Sequence, residues 1–470
     1  MKKVICIGGS DSSFGAGIEL DQRILSNLEA NFETVITAYT FQTHREFIKA
    51  DFVDPEILKE RLLESFPEAP CIVKIGMIGS FDNLKILFDF FSKRNDFIIL
   101  DPILYSTTGA PLLEKIGLNF LKEHFFSLVD LLTPNLNELR ILLGENADPR
   151  DFFQFGVKNV FLKGGHFNGE DNLIHDYFFS RDEEFIISTK KIKRNFSTRG
   201  TGCALAASLA FGLSIDLPLK EALIFAKIYF TKNFRNASFE NTAFVIKPKG
   251  AFGDGLTSED MPFLNFGEIK FPDLGIERLE LYPIVERADF LKKLMGVKIA
   301  QLRIKDLEGE ELEAEIKKGI EISKVLGINL FINDYFELAK KHNAFGVHLG
   351  QEDLCKYDQN KLLKSGLRLG ISTHSYFELA TALGYQPSYV AFGPIYFTSL
   401  KAMQFSPQGI EKLKIIRKLV KLPLVAIGGI TLEKLDEILE GEVDIISVIS
   451  DISKNSDPSE RVKKWIGALQ

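Results

Sequence analysis

The chain has 470 residues, too many for one ordinary core, and a prior of about 100 to 200 residues per domain points to two or three domains. With 45% hydrophobic and 26% charged residues, disorder of the whole chain is excluded. The formal net charge of -7 leaves no broad electrostatic footprint for nucleic acid, although it permits a local basic pocket for a small anion.

The start, Met1 to Gly9, is an apolar run broken by glycine and then by Ser10-Asp11-Ser12-Ser13. It is too short to span a membrane and predicts a first β-strand. Short apolar runs then alternate with segments of helical period, as at Phe97 to Leu100, Asn159 to Leu162 and Leu422 to Ile427. That alternation is the pattern of parallel βα units. Between them, Arg199-Gly200-Thr201-Gly202-Cys203 places two glycines before a strong helix-forming run. Backbone N–H groups at such a helix start can hold an anion, and no Gly-Lys-Ser/Thr follows to make a Walker loop.

From Lys249 to Glu277, glycines and prolines interrupt a mixed polar stretch, and the domain junction is expected there. Beyond it, strands are predicted near Leu281 to Val285, Ile299 to Arg303, Leu330 to Asn333, Gly346 to Leu349, Leu369 to Ser372, Tyr389 to Gly393, Leu424 to Gly428 and Asp444 to Val448. Helices between these strands predict a (β/α)8 TIM barrel, whose active site is built at the C-terminal strand ends. The first half lacks this regularity, so an open α/β sheet covered by helices is expected. The resulting division is 1–250, a linker at 251–278, and 279–470. Cys6, Cys71, Cys203 and Cys355 form no CxxC pair, which speaks against disulfides and zinc and for a reducing, cytoplasmic location.

The glycine turn has company. Ile7-Gly8-Gly9-Ser10-Asp11-Ser12-Ser13, Leu100-Asp101-Pro102, Thr133-Pro134-Asn135-Leu136-Asn137-Glu138 and Leu162-Lys163-Gly164-Gly165-His166, with the turn itself, resemble the ribokinase-like superfamily. The match is specifically to its hydroxymethylpyrimidine and phosphomethylpyrimidine kinases, over nearly all of residues 1–250. The resemblance implies a three-layer α/β/α domain with ATP as co-substrate and Gly200, Thr201 and Gly202 forming an anion hole for its phosphates. It also implies that Lys163 neutralises nucleotide phosphate, that Asn135 and Glu138 belong to the Mg2+ region, and that Asp11 and Gln42 line the pyrimidine pocket. Cys203 falls at the position that acts on the substrate hydroxyl. A helix N-terminus lowers a thiol pKa, so Cys203 is a candidate base, the alternative being a buried space-filling cysteine. The sequence departs from the family with Phe14 in place of a glycine, Thr43 in place of Asn, and Arg199 in place of His.

In the second half, Gln301, Arg303 and Lys305 alternate at the end of the second strand and so project to one side as an anion-receiving wall. Asn333-Asp334 and His348-Leu349-Gly350-Gln351-Glu352-Asp353 supply two carboxylates from successive strand ends, as a Mg2+–pyrophosphate complex requires. With Gly370 to His374, Phe392 to Tyr396, Ala426 to Ile430 and Ile446 to Ile449, these segments closely resemble thiamine phosphate synthase from about residue 279 onward. The resemblance implies Mg2+ at Asp334 and Asp353, and pyrophosphate at Arg303, Asn333 and Lys401. Gln301, Ser372 and Thr398 would hold the pyrimidine or thiazole phosphate, and Gly429 and Ser447 would line the remaining phosphate pocket. Residue by residue, Asp334 also reads as a helix N-cap, His348 as a satisfied core histidine and Lys401 as a surface charge. Phe397 and Leu400 depart from the family loop.

Together the resemblances imply an enzyme of thiamine biosynthesis that phosphorylates a hydroxymethylpyrimidine and its monophosphate and couples the product to thiazole phosphate. The alternative is a pyridoxal-kinase-like first domain with a non-catalytic, regulatory barrel. Small-molecule partners are expected, with no nucleic acid or membrane, and assembly into a homo-oligomer is left open.

Overall fold

The short apolar runs of the sequence become the strands of two separate sheets in a computed structural model, whose chain divides into Met1–Pro262 and Phe263–Gln470. The structure describes all residues except 43–46, 106–110, 166–171, 194–198, 241–242, 266–269 and 399–405, and the backbone alone at 42, 47, 239, 240 and 243–245.

In the first unit the strands of the main sheet are β1 (Val4–Asp11), β2 (Phe32–Gln42), β3 (Phe47–Phe52), β4 (Ile72–Ile75), β5 (Phe97–Leu100), β6 (Leu131–Leu132), β7 (Val160–Leu162), β8 (Leu173–Phe179) and β9 (Glu184–Lys190). Their order in the sheet is β9-β8-β7-β6-β5-β4-β1-β2-β3. The run from β7 to β2 is parallel, and β3, β8 and β9 are antiparallel additions at its edges. The chain order reverses between β1 and β4, the kind of switch point where open α/β sheets bind ligands.

Helices α1 (Gly17–Asn27), α2 (Pro55–Ser65), α3 (Phe81–Phe91), α4 (Lys115–Glu123), α5 (Leu136–Leu143), α6 (Thr201–Ser214) and α7 (Leu219–Arg235) complete the unit. Leu58, Leu62, Leu84, Leu87, Leu121 and Leu139, from α2 to α5, bury against one face of the sheet. Leu20, Ile24, Ala204, Ala207 and Tyr229, from α1, α6 and α7, pack together in a separate cluster. Two helical layers around one sheet explain why β1, β4 and β5 are almost continuously apolar. The exception is Lys74 in the middle of β4, which is 1% exposed and donates to Asp21 of α1 at 2.7 Å. Burial works against the lysine charge, but the negative groups around it, Asp21 foremost with Cys203, Cys6 and Asp101, together outweigh it and hold the ammonium above its usual range.

The second unit is a closed parallel barrel of Glu280–Val285, Ile299–Leu302, Asn329–Asn333, Gly346–Leu349, Arg368–Thr373, Tyr389–Phe392, Leu424–Ile427 and Ile445–Val448, in that order. The eighth strand closes on the first through Glu280 opposite Ile445 and Pro283 opposite Val448. Tyr282, Phe331, Tyr389 and Val425 fill the interior, so this is a packed core with its loops left for function.

Of the segment expected to link the domains, 251–278, the described residues 251–265 and 270–278 make packing contacts and hydrogen bonds. Lys232 donates to the carbonyl of Ala251 at 2.8 Å, and Arg235 pairs with the buried Asp260 at 2.7 Å. Further on, the Phe271 amide donates to the Gln386 carbonyl at 3.1 Å, and Ser388 donates to the Pro272 carbonyl at 2.6 Å. Glycines and prolines break the periodic pattern there, but Leu256, Met261, Leu264, Phe271 and Leu274 still bury their side chains.

The Lys74–Asp21 pair generates a test. Asp21→Ala leaves an unpaired buried ammonium and is expected to cost about 3–5 kcal/mol of stability, while Asp21→Leu with Lys74→Met restores most of it. Denaturant unfolding of the three proteins measures both quantities.

Candidate active sites

Four strand ends of the first unit carry polar groups to one edge: Asp11 after β1, Asp101 after β5, Thr133 after β6 and Lys163 after β7. Lys163 Nζ donates to Asp101 Oδ1 at 2.5 Å and stands 4.0 Å from Glu138 Oε2. Thr133 Oγ1 also reaches Asp101 Oδ1, at 3.3 Å. The glycine turn lies directly on this pair, since a Cβ on Gly202 would sit 3.1 Å from Asp101 Oδ2 and 3.2 Å from Lys163 Nζ. Gly200 caps α6 with φ +74°, and a Cβ there would meet the Gly15 carbonyl at 2.3 Å. Only glycine fits that position. The Ala204 amide closes on the Gly200 carbonyl at 2.8 Å, and the earlier amides of α6 have no intrahelical acceptor, which leaves Thr201 and Gly202 able to donate to an anion. A narrow, mostly apolar crevice adjoins them, lined by Thr133, Phe161, Lys163, Gly202, Leu205 and Leu223.

Asn135 and Glu138, which the sequence resemblance assigns to the Mg2+ region, stand at the start of α5, with Glu138 facing Lys163. They form the capping box of α5: Asn135 Oδ1 accepts from the Glu138 amide at 2.9 Å, and Glu138 Oε2 accepts from the Asn135 amide at 2.7 Å. Burial, opposed by Lys163 and reinforced by Asp101, pushes the Glu138 carboxyl up to about 7.

Cys203 also departs from expectation. A helix N-terminus was expected to lower its pKa, but burial dominates and pushes the thiol up to about 11. Lys74 and the Gly17 amide pull it down, while Asp21 and Asp101 push it up. The thiol is only 4% exposed and is protonated at neutral pH. Asp11 is buried; its Oδ1 accepts from the amide and hydroxyl of Ser13 at 2.9 and 2.7 Å. Phe14, exposed in that loop, has φ +59°, a conformation that explains why glycine suits the position. Gln42 ends β2, but its side chain, like Thr43, lies outside the described residues. Asp101 was not among the sequence-derived site residues, although a charged residue directly after the apolar run Phe97 to Leu100 was a signal for it.

In the barrel, the second to fifth strands bring their polar ends together. Lys305 is ion-paired with Asp334, and Lys356 donates to Asp353 at 2.6 Å while also feeling the charge of Asp334. Asp334 adopts φ +67° and its amide donates to the His348 carbonyl at 2.9 Å; its side chain serves Lys305, and Tyr335 occupies the N-cap of the next helix. Asn333 is buried and lies opposite His348 in the sheet. His348 is hydrogen-bonded at both ring nitrogens, to Tyr389 Oη at 2.7 Å and Ser372 Oγ at 2.8 Å. Tyr389 meets Tyr282 at 2.8 Å, and Gln301 Nε2 donates to Tyr282 Oη at 3.1 Å. Gln301 and Ser372 thus stand at the two ends of one buried polar chain. Burial, then the charges of Arg303 and His374, lower the His348 pKa to about 4.

On the other side of the barrel mouth, Gly429 has φ +67°, and a Cβ there would lie 2.4 Å from the Phe397 carbonyl. This seats the backbone leading to Thr398 against the glycine turn. Ser447, opposite Ile427, is buried, and its hydroxyl has no hydrogen-bond partner among the described residues. Lys401 and Leu400 lie outside the described residues.

No group of three or more His, Cys, Asp or Glu residues suited to a metal occurs among the described residues. The pair Asp334 and Asp353 nevertheless suits Mg2+, which takes hard oxygen ligands and commonly needs only one or two carboxylates when phosphates supply the rest.

Fold and sites define a two-part α/β enzyme, a ribokinase-like phosphotransferase domain followed by a (β/α)8 transferase domain. The family model for phosphomethylpyrimidine kinase matches residues 11–245, and that for thiamine monophosphate synthase matches residues 281–452. A relative from Oryza sativa subsp. japonica, "Probable thiamine biosynthetic bifunctional enzyme, chloroplastic", is 30% identical over 463 residues, covering 93% of this chain and 82% of that protein. The chain belongs to this family of bifunctional thiamine biosynthetic enzymes, combining a phosphomethylpyrimidine kinase with a thiamine-phosphate synthase. The thiamine-phosphate synthase of Photorhabdus laumondii subsp. laumondii is 48% identical over 185 residues, 38% of this chain and 85% of that protein. The crystal structure of phosphomethylpyrimidine kinase from Clostridium difficile 630 is similar at 26% identity and a TM-score of 0.44, over 50% of this chain and 100% of that one. With both models matched, the alternative of a pyridoxal-kinase-like domain and a regulatory barrel is not favoured. No helix among the described residues is long and apolar enough to cross a membrane.

The state of His348 has a consequence for stability. Its usual pKa is 6.5 and its folded value about 4, so between these the unfolded chain binds the extra proton. Stability therefore falls as pH drops through that window, by up to about 3 kcal/mol. His348→Gln is expected to remove this part of the pH dependence, as measured by denaturant unfolding of the barrel from pH 7 to pH 4.

Proposed function

We propose that the first domain transfers the γ-phosphoryl group of ATP to the hydroxymethyl oxygen of an aminopyrimidine and then to the resulting monophosphate, and that the barrel joins this diphosphate to a thiazole phosphate, releasing pyrophosphate. The observation that carries the reading is the pairing of cations with carboxylates at two sets of strand ends, Lys163 with Asp101 and Lys305 with Asp334.

In the first site, the Thr201 and Gly202 amides at the α6 terminus receive the transferred phosphoryl oxygens, and Lys163 carries nucleotide phosphate charge. Glu138 supports Lys163 from 4.0 Å and, with Asn135, anchors the helix beside it. Asp11 and Gln42 hold the pyrimidine. Cys203 takes the hydroxyl proton, and Lys74, kept charged by Asp21, offsets the burial of the thiolate that this requires.

In the barrel, Arg303, Lys305, Asn333 and Lys401 bind the pyrophosphate portion, Gln301 and Ser372 orient the pyrimidine, and Thr398, Gly429 and Ser447 hold the thiazole phosphate. The Ser447 hydroxyl, buried and without a hydrogen-bond partner among the described residues, is a donor suited to such an acceptor. Asp334 and Asp353 would hold Mg2+, which when bound neutralises charge on the departing pyrophosphate. The thiazole nitrogen attacks the methylene carbon as its bond to the pyrophosphate oxygen breaks, so no protein nucleophile is needed. The reading includes a cytoplasmic chain with small-molecule partners only, consistent with its net charge and its unpaired cysteines.

Purified protein supplied with pyrimidine alcohol, ATP, thiazole phosphate and Mg2+ is expected to make thiamine phosphate. Cys203→Ala should lower kinase turnover by about 100-fold or more and spare coupling from added diphosphate, and Asp334→Ala should do the reverse. Equal damage to both reactions by either variant would defeat the assignment of separate sites. With the thiol near 11, kinase turnover should rise about tenfold per pH unit through the neutral range; a flat profile would remove Cys203 as the base.

A further inference from the structure

The turn Gly428-Gly429-Ile430, after the seventh barrel strand, is clamped twice. The first clamp comes from the end of the sixth strand, where the Tyr396 amide donates to the Gly428 carbonyl at 3.0 Å and a Cβ on Gly429 would lie 2.9 Å from Tyr396 Cβ. The second is Lys434, half-buried at the end of the short helical turn Leu432–Lys434. Its ammonium donates to the Gly429 carbonyl at 3.2 Å and stands over the Tyr396 ring, 4.0 Å from the centroid. A cation over a tyrosine face is attracted by the ring quadrupole, so one side chain ties the glycine turn to the segment that leads into Thr398.

Each clamp fixes a peptide plane. A trans peptide carries its C=O and N–H on opposite edges, so a carbonyl that is held aims the following amide the other way. The Gly428 carbonyl, taken by Tyr396, sets the Gly429 N–H, and the Gly429 carbonyl, taken by Lys434, sets the Ile430 N–H. Neither amide meets an acceptor among the described residues. Gly428 and Gly429 have φ of +100° and +67°, and successive N–H groups in such a turn form a concavity suited to an anion. A positive charge on the Gly429 carbonyl also polarises its peptide and makes the Ile430 N–H a stronger donor. Ser447, whose buried hydroxyl has no hydrogen-bond partner among the described residues, stands on the neighbouring strand opposite Ile427.

We propose that Lys434 is a positioning residue of the coupling reaction: by holding the Gly429 carbonyl and the Tyr396 ring together, it aims the Gly429 and Ile430 amides at the phosphate of the thiazole substrate. The proposal rests on the reading that places this phosphate at Gly429 and Ser447. It is tested by steady-state coupling kinetics of the full chain with Mg2+, varying thiazole phosphate and pyrimidine diphosphate in turn, for the unmodified protein, Lys434→Met and Lys434→Arg. Lys434→Met should raise the thiazole phosphate KM by about tenfold and leave the diphosphate KM within about twofold, and Lys434→Arg, which keeps donor and charge, should recover most of the loss. An unchanged thiazole phosphate KM, or equal rises in both KM values, would overturn the proposal. A rise confined to the diphosphate KM would instead overturn the placement of the thiazole phosphate on this side of the barrel. If Lys434→Met does not fold, Lys434→Gln is read against the same outcomes.

Discussion

Positive charge at both sites is held in place by carboxylates before any substrate arrives. Lys163 is fixed by Asp101, Lys305 by Asp334 and Lys356 by Asp353. A free ammonium beside a cleft would sample many rotamers and stay fully hydrated. Pairing removes part of both costs in advance, so an incoming anion meets cations already ordered at strand ends. The scaffolds differ, an open sheet and a closed barrel, but parallel strands deliver side chains to one edge in each.

The same charges decide how the interior behaves. Lys74 keeps its proton in the middle of the first unit because Asp21, 2.7 Å away, and the other negative groups around it outweigh burial, while Cys203 loses more to desolvation than Lys74 and the Gly17 amide return. Burial governs the thiol and pairing governs the lysine. Any base role for Cys203 thus depends on charge brought in by residues and ligands around it, more than on its place at the start of α6.

The barrel was legible in the sequence because short apolar runs recur eight times with helical segments between them, and Asn333-Asp334 and the segment leading to Asp353 stand at the ends of two such runs. The open sheet was legible more coarsely, as alternation without a count. What escaped were properties that arise only when distant segments meet. The central position of Asp101 depends on β5 and β7 delivering it and Lys163 to one point. Packing of 251–265 and 270–278 was hidden because glycine and proline erase periodicity without preventing burial.

The polar chain across the barrel is fixed in its atoms and open in its protons. Gln301 donates to Tyr282, and beyond that the contacts of Tyr282 with Tyr389, of Tyr389 with Nδ1 of His348 and of Nε2 with Ser372 fit either sense of donation. With its hydrogen on Nε2, the neutral imidazole leaves the Ser372 hydroxyl hydrogen to be given elsewhere; with it on Nδ1, Nε2 takes that hydrogen and Ser372 keeps only lone pairs to offer. One imidazole tautomer thereby sets whether the fifth strand meets a visitor as donor or as acceptor.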